Sequence, residues 1–414
     1  MQTRKLHQIF AYLALIFICW PCFRPLEASL SFGDVFLVLA AAMNLQHFGK
    51  LKPFHVLLLS SVPTIILTQV FDPDGSPEAV IQAAYIFGFV LPFGWIAFVG
   101  IPVHRVVTVL LMSEGVSSLI ALGQTFGFLE AFGRARVWGT LDAYRAAGFN
   151  TSCSGLCMNL TSMFCLLLYV REQRMRVVML SLLLIGLVAT MAKSTIFAIP
   201  AILFYLYWEP NRWKVIARFG GLATVLALVV VFSPTLQLKI ENVIASVTRR
   251  ADGLDFSMYE RLSTVRYALE FVPECYIVGL GYEGTAMTLT QHLGNTVHVF
   301  HIGIVLIGGL VGAVLHYAGY GLMLRDATKL KHYPLVVLVF SHWLSVCTMP
   351  VLMLSNQYIP LIMCGVILFA VSEQAEFDEM KAQFEAKRRQ AAAARQPRKA
   401  VVPATLPTPA QAMS

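Results

Sequence analysis

Apolar runs about twenty residues long, separated by short polar turns, fill most of the chain. A bilayer hydrocarbon core of about 30 Å asks for roughly 20 apolar residues per helix. That window selects about twelve segments: 6–22, 32–48, 54–71, 79–101, 104–123, 152–170, 175–191, 194–208, 216–233, 298–323, 334–349 and 351–371. The pattern predicts an all-α polytopic membrane protein. One polar stretch departs from it, 234–297, a large loop between the ninth and tenth segments. Chemistry on a polar substrate fits best there, because apolar spans have no room for unpaired polar groups. The predicted organisation is a transmembrane domain over 1–371 and a basic tail over 372–414. In the tail, Phe377, Met380 and Phe384 have helical spacing, four prolines follow, and the helix is expected to lie on anionic membrane lipids.

Composition agrees with this picture and narrows it. The chain is 57% hydrophobic and 13% charged, with a mean hydropathy of +0.69, too little charge to cover a water-facing surface. Its net charge of +8 is explained by the positive-inside rule rather than by nucleic acid. With the N-terminus in the cytoplasm, alternation places Lys50 and Lys52, Arg171, Arg174 and Arg176, the 209–218 loop and the basic C-terminal tail inside. The large loop falls outside, where Lys239, Arg249, Arg250, Arg261 and Arg266 are outnumbered by Glu241, Asp252, Asp255, Glu260, Glu270, Glu274 and Glu283. The 124–151 loop is the exception, with Arg134, Arg136 and Arg145 against Glu130 and Asp142. Arg4 and Lys5 ahead of an apolar core resemble a signal peptide, read here as an uncleaved first span. Cysteine and histidine spacing gives no metal site.

Within this frame a few polar residues are candidates for chemistry. Lys193 stands at a very short outer turn, where a cation runs against the charge trend and could hold a lipid-linked phosphate. Arg261 opens an amphipathic stretch, Leu262, Val265, Leu269 and Val272, which ends at Pro273. Gly279-Leu280-Gly281 then makes a flexible turn whose backbone could approach a ligand. His298 and His301 lie three apart at the mouth of the tenth segment, on roughly one helix face. Neutral imidazole can take a proton from a sugar hydroxyl.

These residues carry a resemblance to the family of O-antigen ligases and O-antigen or exopolysaccharide polymerases. In that family an Arg precedes an amphipathic helix, a Pro and a G-x-G eighteen residues on, matched by Arg261, Pro273, Gly279 and Gly281. A His then opens a span, with a Gly eleven residues later and a closing G-x-x-G, matched by His298, Gly309 and Gly312. Thr190-Met191-Ala192-Lys193 matches an upstream Thr-x-Ser-Lys turn, and 136–140 more loosely matches the segment before the sixth span. Val299 stands where the family has Asn, and Ala192 where it has Ser.

The resemblance implies an inverting, metal-independent glycosyltransferase of the GT-C type in the bacterial inner membrane, without a cofactor. Its donor and acceptor would be undecaprenyl-diphosphate-linked glycans, with polysaccharide export or chain-length proteins as partners. His298 and Arg261 would be catalytic; Lys193, Arg136, Arg145, Gly279, Gly281, Glu283 and His301 would bind substrate. The expected activity is polymerisation of oligosaccharide repeat units, the alternative being transfer of glycan to the lipid A core. A transporter or flippase is the rival from another class. It would show two similar halves and charged residues near the middle of spans, and the pattern is read as showing neither.

Overall fold

The computed structural model describes residues 2–23, 30–60, 81, 84–130, 132, 146–150, 152–190, 192–209, separate positions between 213 and 280, 300–346 and 355–374. Most of the 234–297 loop and the tail from 375 lie outside the described residues. Among the described residues all regular structure is helical. In chain order the helices are α1 (Gln2–Cys19), α2 (Phe32–Ala42), α3 (Pro53–Ser60), α4 (Ile86–Phe98), α5 (Val103–Thr125) and α6 (Cys153–Leu166). There follow α7 (Gln173–Thr190), α8 (Ala198–Trp208), α9 (Phe300–Lys329), α10 (Tyr333–Val346) and α11 (Asn356–Gln374). By length and composition, four are able to cross a membrane: α5, α7, His301–Lys329 of α9, and α11; the others are shorter apolar helices. The chain divides into two compact units, Met1–Phe369 and Ala370–Ser414.

Local chemistry sets where these helices begin. The Ser31 side chain accepts from the Asp34 N–H while Asp34 accepts from the Ser31 N–H, a reciprocal cap that starts α2. Pro53 opens α3 and Pro102 caps the start of α5, positions where a missing N–H costs nothing. Ser152 caps α6 by accepting from Gly155 N–H at 3.1 Å. Every residue of α6 except Ser154 is buried. A helix buried on all sides belongs at the axis of a bundle, and α6 touches α7, α8 and α10, while α1 pairs with α2, α5 with α7, and α3 with α9.

The apolar run read as a single span over 298–323 is broken. Gly309 has φ 65° and ψ −175° inside α9. His301 and Tyr317 lie sixteen residues apart, about 24 Å in a straight helix at 1.5 Å per residue, yet His301 Nδ1 and the Tyr317 hydroxyl are 2.5 Å apart. The chain therefore folds back at Gly309, with the two partners eight residues before and after it. We refer to the arms, 300–308 and 310–329, as α9a and α9b. A hydropathy window cannot see the reversal, because both arms are apolar and only backbone conformation separates them.

Candidate functional site

The reversal in α9 interrupts the helical hydrogen-bond ladder and frees carbonyls of the preceding turn, which need other donors. One of them, Leu306 O, accepts from Leu280 N–H at 2.6 Å. Backbone meets backbone along this seam. A Cβ on Gly309 would collide with the Ile277 carbonyl, and one on Gly279 with the carbonyls of Ile307 and Leu306. Gly279 and Gly309, which sequence spacing linked only by resemblance, are thus in direct contact. The freedom of Gly279 admits the α9a backbone, in contrast to the expected flexible turn open to a ligand; Gly281 lies outside the described residues.

His301 is held at the other end of α9a. The carbonyl of Trp343 can only accept, so the 3.3 Å contact to His301 Nε2 has that nitrogen donating. In the neutral ring Nδ1 is then the acceptor for the Tyr317 hydroxyl. The ring also packs, tilted by 36°, against Trp343 at 4.9 Å and lies 5.5 Å from Tyr317. Both nitrogens are engaged within the protein, so His301 clamps α9a to α9b and α10 and has no nitrogen left to face a substrate hydroxyl. Behind it, His316 and His342 are buried together with Tyr320 and Tyr358.

The turn carrying Lys193 also meets α10. Thr195 Oγ1 donates to Ala192 O at 2.6 Å, and Ser194 Oγ donates to Cys157 Sγ at 3.3 Å, which fixes the turn Lys193–Phe197 on α6. That turn also touches α8 and α10. So α10 seats both His301 and the Lys193 turn. The Lys193 side chain, and Arg136, Arg145, Arg261, Glu283 and His298 entirely, lie outside the described residues.

A second polar centre was missed by the sequence reading, and it corrects the statement that no charged residue lies near the middle of a span. Glu114 is near the middle of α5 and fully buried. Asn159 Nδ2 donates to Glu114 Oε1 at 3.2 Å and to Asn150 Oδ1 at 3.3 Å. Asn356 Nδ2 donates to the same Asn150 oxygen at 2.8 Å. Gln124 and Ser117 of α5 hold the segment that delivers Asn150: Gln124 Oε1 accepts from Ala147 and Gly148 N–H, and Ser117 Oγ from Phe149 N–H. The available signal was a lone Glu amid the apolar 106–122 run, which intramembrane cost alone marks as unusual. Among the described residues no group of three or more His, Cys, Asp or Glu is arranged to hold a metal ion.

No protein-family model and no curated protein matches the chain.

Proposed function

We propose that the protein is an integral-membrane glycosyltransferase that polymerises undecaprenyl-diphosphate-linked oligosaccharide repeat units at the outer face of the bacterial inner membrane. The observation that carries the reading is the seam between Gly279 and Gly309. It joins the segment that follows Arg261 to the helix that follows His298, the two pieces on which the family resemblance rests. In the proposed topology the chain crosses the membrane about twelve times, both termini are cytoplasmic, and the 234–297 loop is periplasmic.

In this reading the acceptor hydroxyl oxygen attacks the anomeric carbon of the donor. The bond from that carbon to the lipid diphosphate breaks, configuration inverts, and the hydroxyl proton passes to His298. Arg261 and Lys193 bind the diphosphate and stabilise the charge gathering on it as it leaves; Arg261 can do so with two parallel hydrogen bonds. Arg136, Arg145 and Glu283 would contact the glycans. The engagement of both His301 nitrogens favours His298 over His301 as the base.

The test is the lipid-linked glycan profile of cells carrying His298→Ala, with protein level in the membrane measured alongside. The proposal expects single repeat units on the carrier and no polymer. Normal polymer would refute it, and free polymer never joined to lipid A core would indicate the ligase alternative. Glu114 favours a second reading, an ion-coupled transporter or flippase, since such proteins use buried carboxylates in their spans; in that case repeat units would accumulate on the cytoplasmic side.

A further inference from the structure

The centre around Glu114 is built by five separate parts of the chain. Glu114 comes from α5, Asn159 from α6, Asn150 from the segment ahead of α6, and Asn356 from the turn Ser355–Tyr358 at the start of α11. The thiol of Cys19, the last residue of α1, adjoins the same carboxyl. Exposure of Glu114, Asn150 and Asn159 is 0%, and that of Asn356 is 1%. The carboxamide hydrogen bonds described above lock the four side chains into one connected network.

That network leaves oxygens over. Besides the Asn150 amide nitrogen, a donor, three acceptors have no hydrogen-bond partner among the described residues: Glu114 Oε2, Asn159 Oδ1 and Asn356 Oδ1. Each is a hard oxygen acceptor in a fully buried setting, where an unmade contact costs about 1–3 kcal/mol. The carboxyl of Glu114 meets Asn159 and the thiol of Cys19, neither of which is a cation. A carboxylate taken out of water without a counter-charge is expensive. One carboxylate with neutral carboxamide oxygens matches a single positive charge. A divalent ion would leave an excess charge buried, and its oxygen ligands normally include more than one carboxylate. A soft metal would want thiolate or imidazole, whereas the unpartnered acceptors are oxygens.

We infer that the unpartnered oxygens of Glu114, Asn159 and Asn356, with the two Asn amides held in place by Asn150, form a binding site for a monovalent alkali cation of the sodium class, which cross-links α5, α6 and the start of α11. The site uses none of the proposed glycosyl-transfer residues, and its test does not depend on them. A cation bound only by the folded protein stabilises it by mass action and saturates.

The experiment uses the full chain purified in detergent, with thermal unfolding followed as NaCl replaces choline chloride at constant ionic strength. The wild type should show a midpoint that rises by several degrees and levels off with sodium. Glu114→Gln keeps the shape and removes the charge; its midpoint should be flat in sodium and no lower than that of the wild type in choline. Asn356→Leu removes one oxygen ligand, and its half-saturating sodium concentration should rise about tenfold, the equivalent of one lost contact. A wild type indifferent to sodium would overturn the inference, the carboxyl then being satisfied by a proton or water. An equal sodium response in Glu114→Gln or an unshifted one in Asn356→Leu would overturn it too, by placing the effect elsewhere. Should Glu114→Gln fail to fold, the Asn356→Leu titration decides alone.

Discussion

The α9 seam and the Glu114 centre solve opposite problems with opposite means. At the seam a helix is broken, and main-chain groups are satisfied by other main chain: Leu280 N–H reaches Leu306 O, and two glycines permit the approach. At Glu114 the helix is intact, and side chains from several segments converge on one buried carboxyl. The first arrangement depends on what a residue lacks, a Cβ. The second depends on what each residue carries. A seam of backbone tolerates no substitution by size, while a network of side chains tolerates size and fails on chemistry.

The largest effect that separates the two is expected at Gly309. An alanine there must hold φ 65° with extended ψ, a region nearly closed to residues with a Cβ, and must displace the Ile277 carbonyl. Gly309→Ala should cost several kcal/mol and abolish folded, monodisperse protein in detergent, whereas Gly220→Ala, where a Cβ meets nothing within 4 Å, should be silent. Survival of Gly309→Ala with an unchanged unfolding midpoint would remove the seam from the account.

Next comes Asn159→Leu, nearly isosteric but without the amide that serves both Glu114 and Asn150. It should lower stability by about 2–4 kcal/mol in denaturant unfolding, because two buried acceptors lose their donor. Asn159→Asp should be as costly, by setting a second carboxyl beside the first. A smaller change is expected from Tyr317→Phe, which deletes the hydroxyl that bonds His301 and so about 1 kcal/mol. Its loss should be additive with Asn159→Leu if the two centres are independent.

The smallest effect is a pH dependence outside the spans. The Tyr169 hydroxyl bonds His332 Nδ1 at 2.9 Å and the rings stack at 5.6 Å, tying the end of α6 to the α9b–α10 turn. Burial pushes the His332 pKa below its ordinary value of 6.5. The neutral ring is therefore favoured by folding; its contribution is fully present above the unfolded pKa and is lost as pH falls below about 6.5 toward the folded one. Replacing His332 by Gln should flatten the fall in midpoint between pH 7 and pH 5.

What could be read from the sequence follows from the same contrast. Hydropathy makes α5, α7 and α11 legible, because length and apolar content are properties of the string. It also places the start of α9, but the fold-back at Gly309 depends on one residue's φ and ψ, which composition does not encode. Glycine spacing hinted at a relation between Gly279 and Gly309, though not that they touch. His301 stood out as a substrate-binding residue, and only its two partners, Tyr317 and Trp343, mark it as a clamp. Glu114 escaped because an averaged window absorbs a single carboxylate, and because its partners Asn150, Asn159 and Asn356 are scattered over two hundred residues.

The fold-back of α9 is the feature on which the site is arranged, and a distance tests it most directly. In a variant with the eight native cysteines replaced, His301→Cys and Tyr317→Cys are introduced together and treated in the membrane with a short bifunctional thiol reagent. Efficient crosslinking within one chain is expected from a bifunctional thiol reagent about 10 Å long, well short of the separation in a straight helix, and none when only one of the pair is present. A continuous helix would hold the two thiols about 24 Å apart, and absence of the crosslink under those conditions would contradict the fold-back.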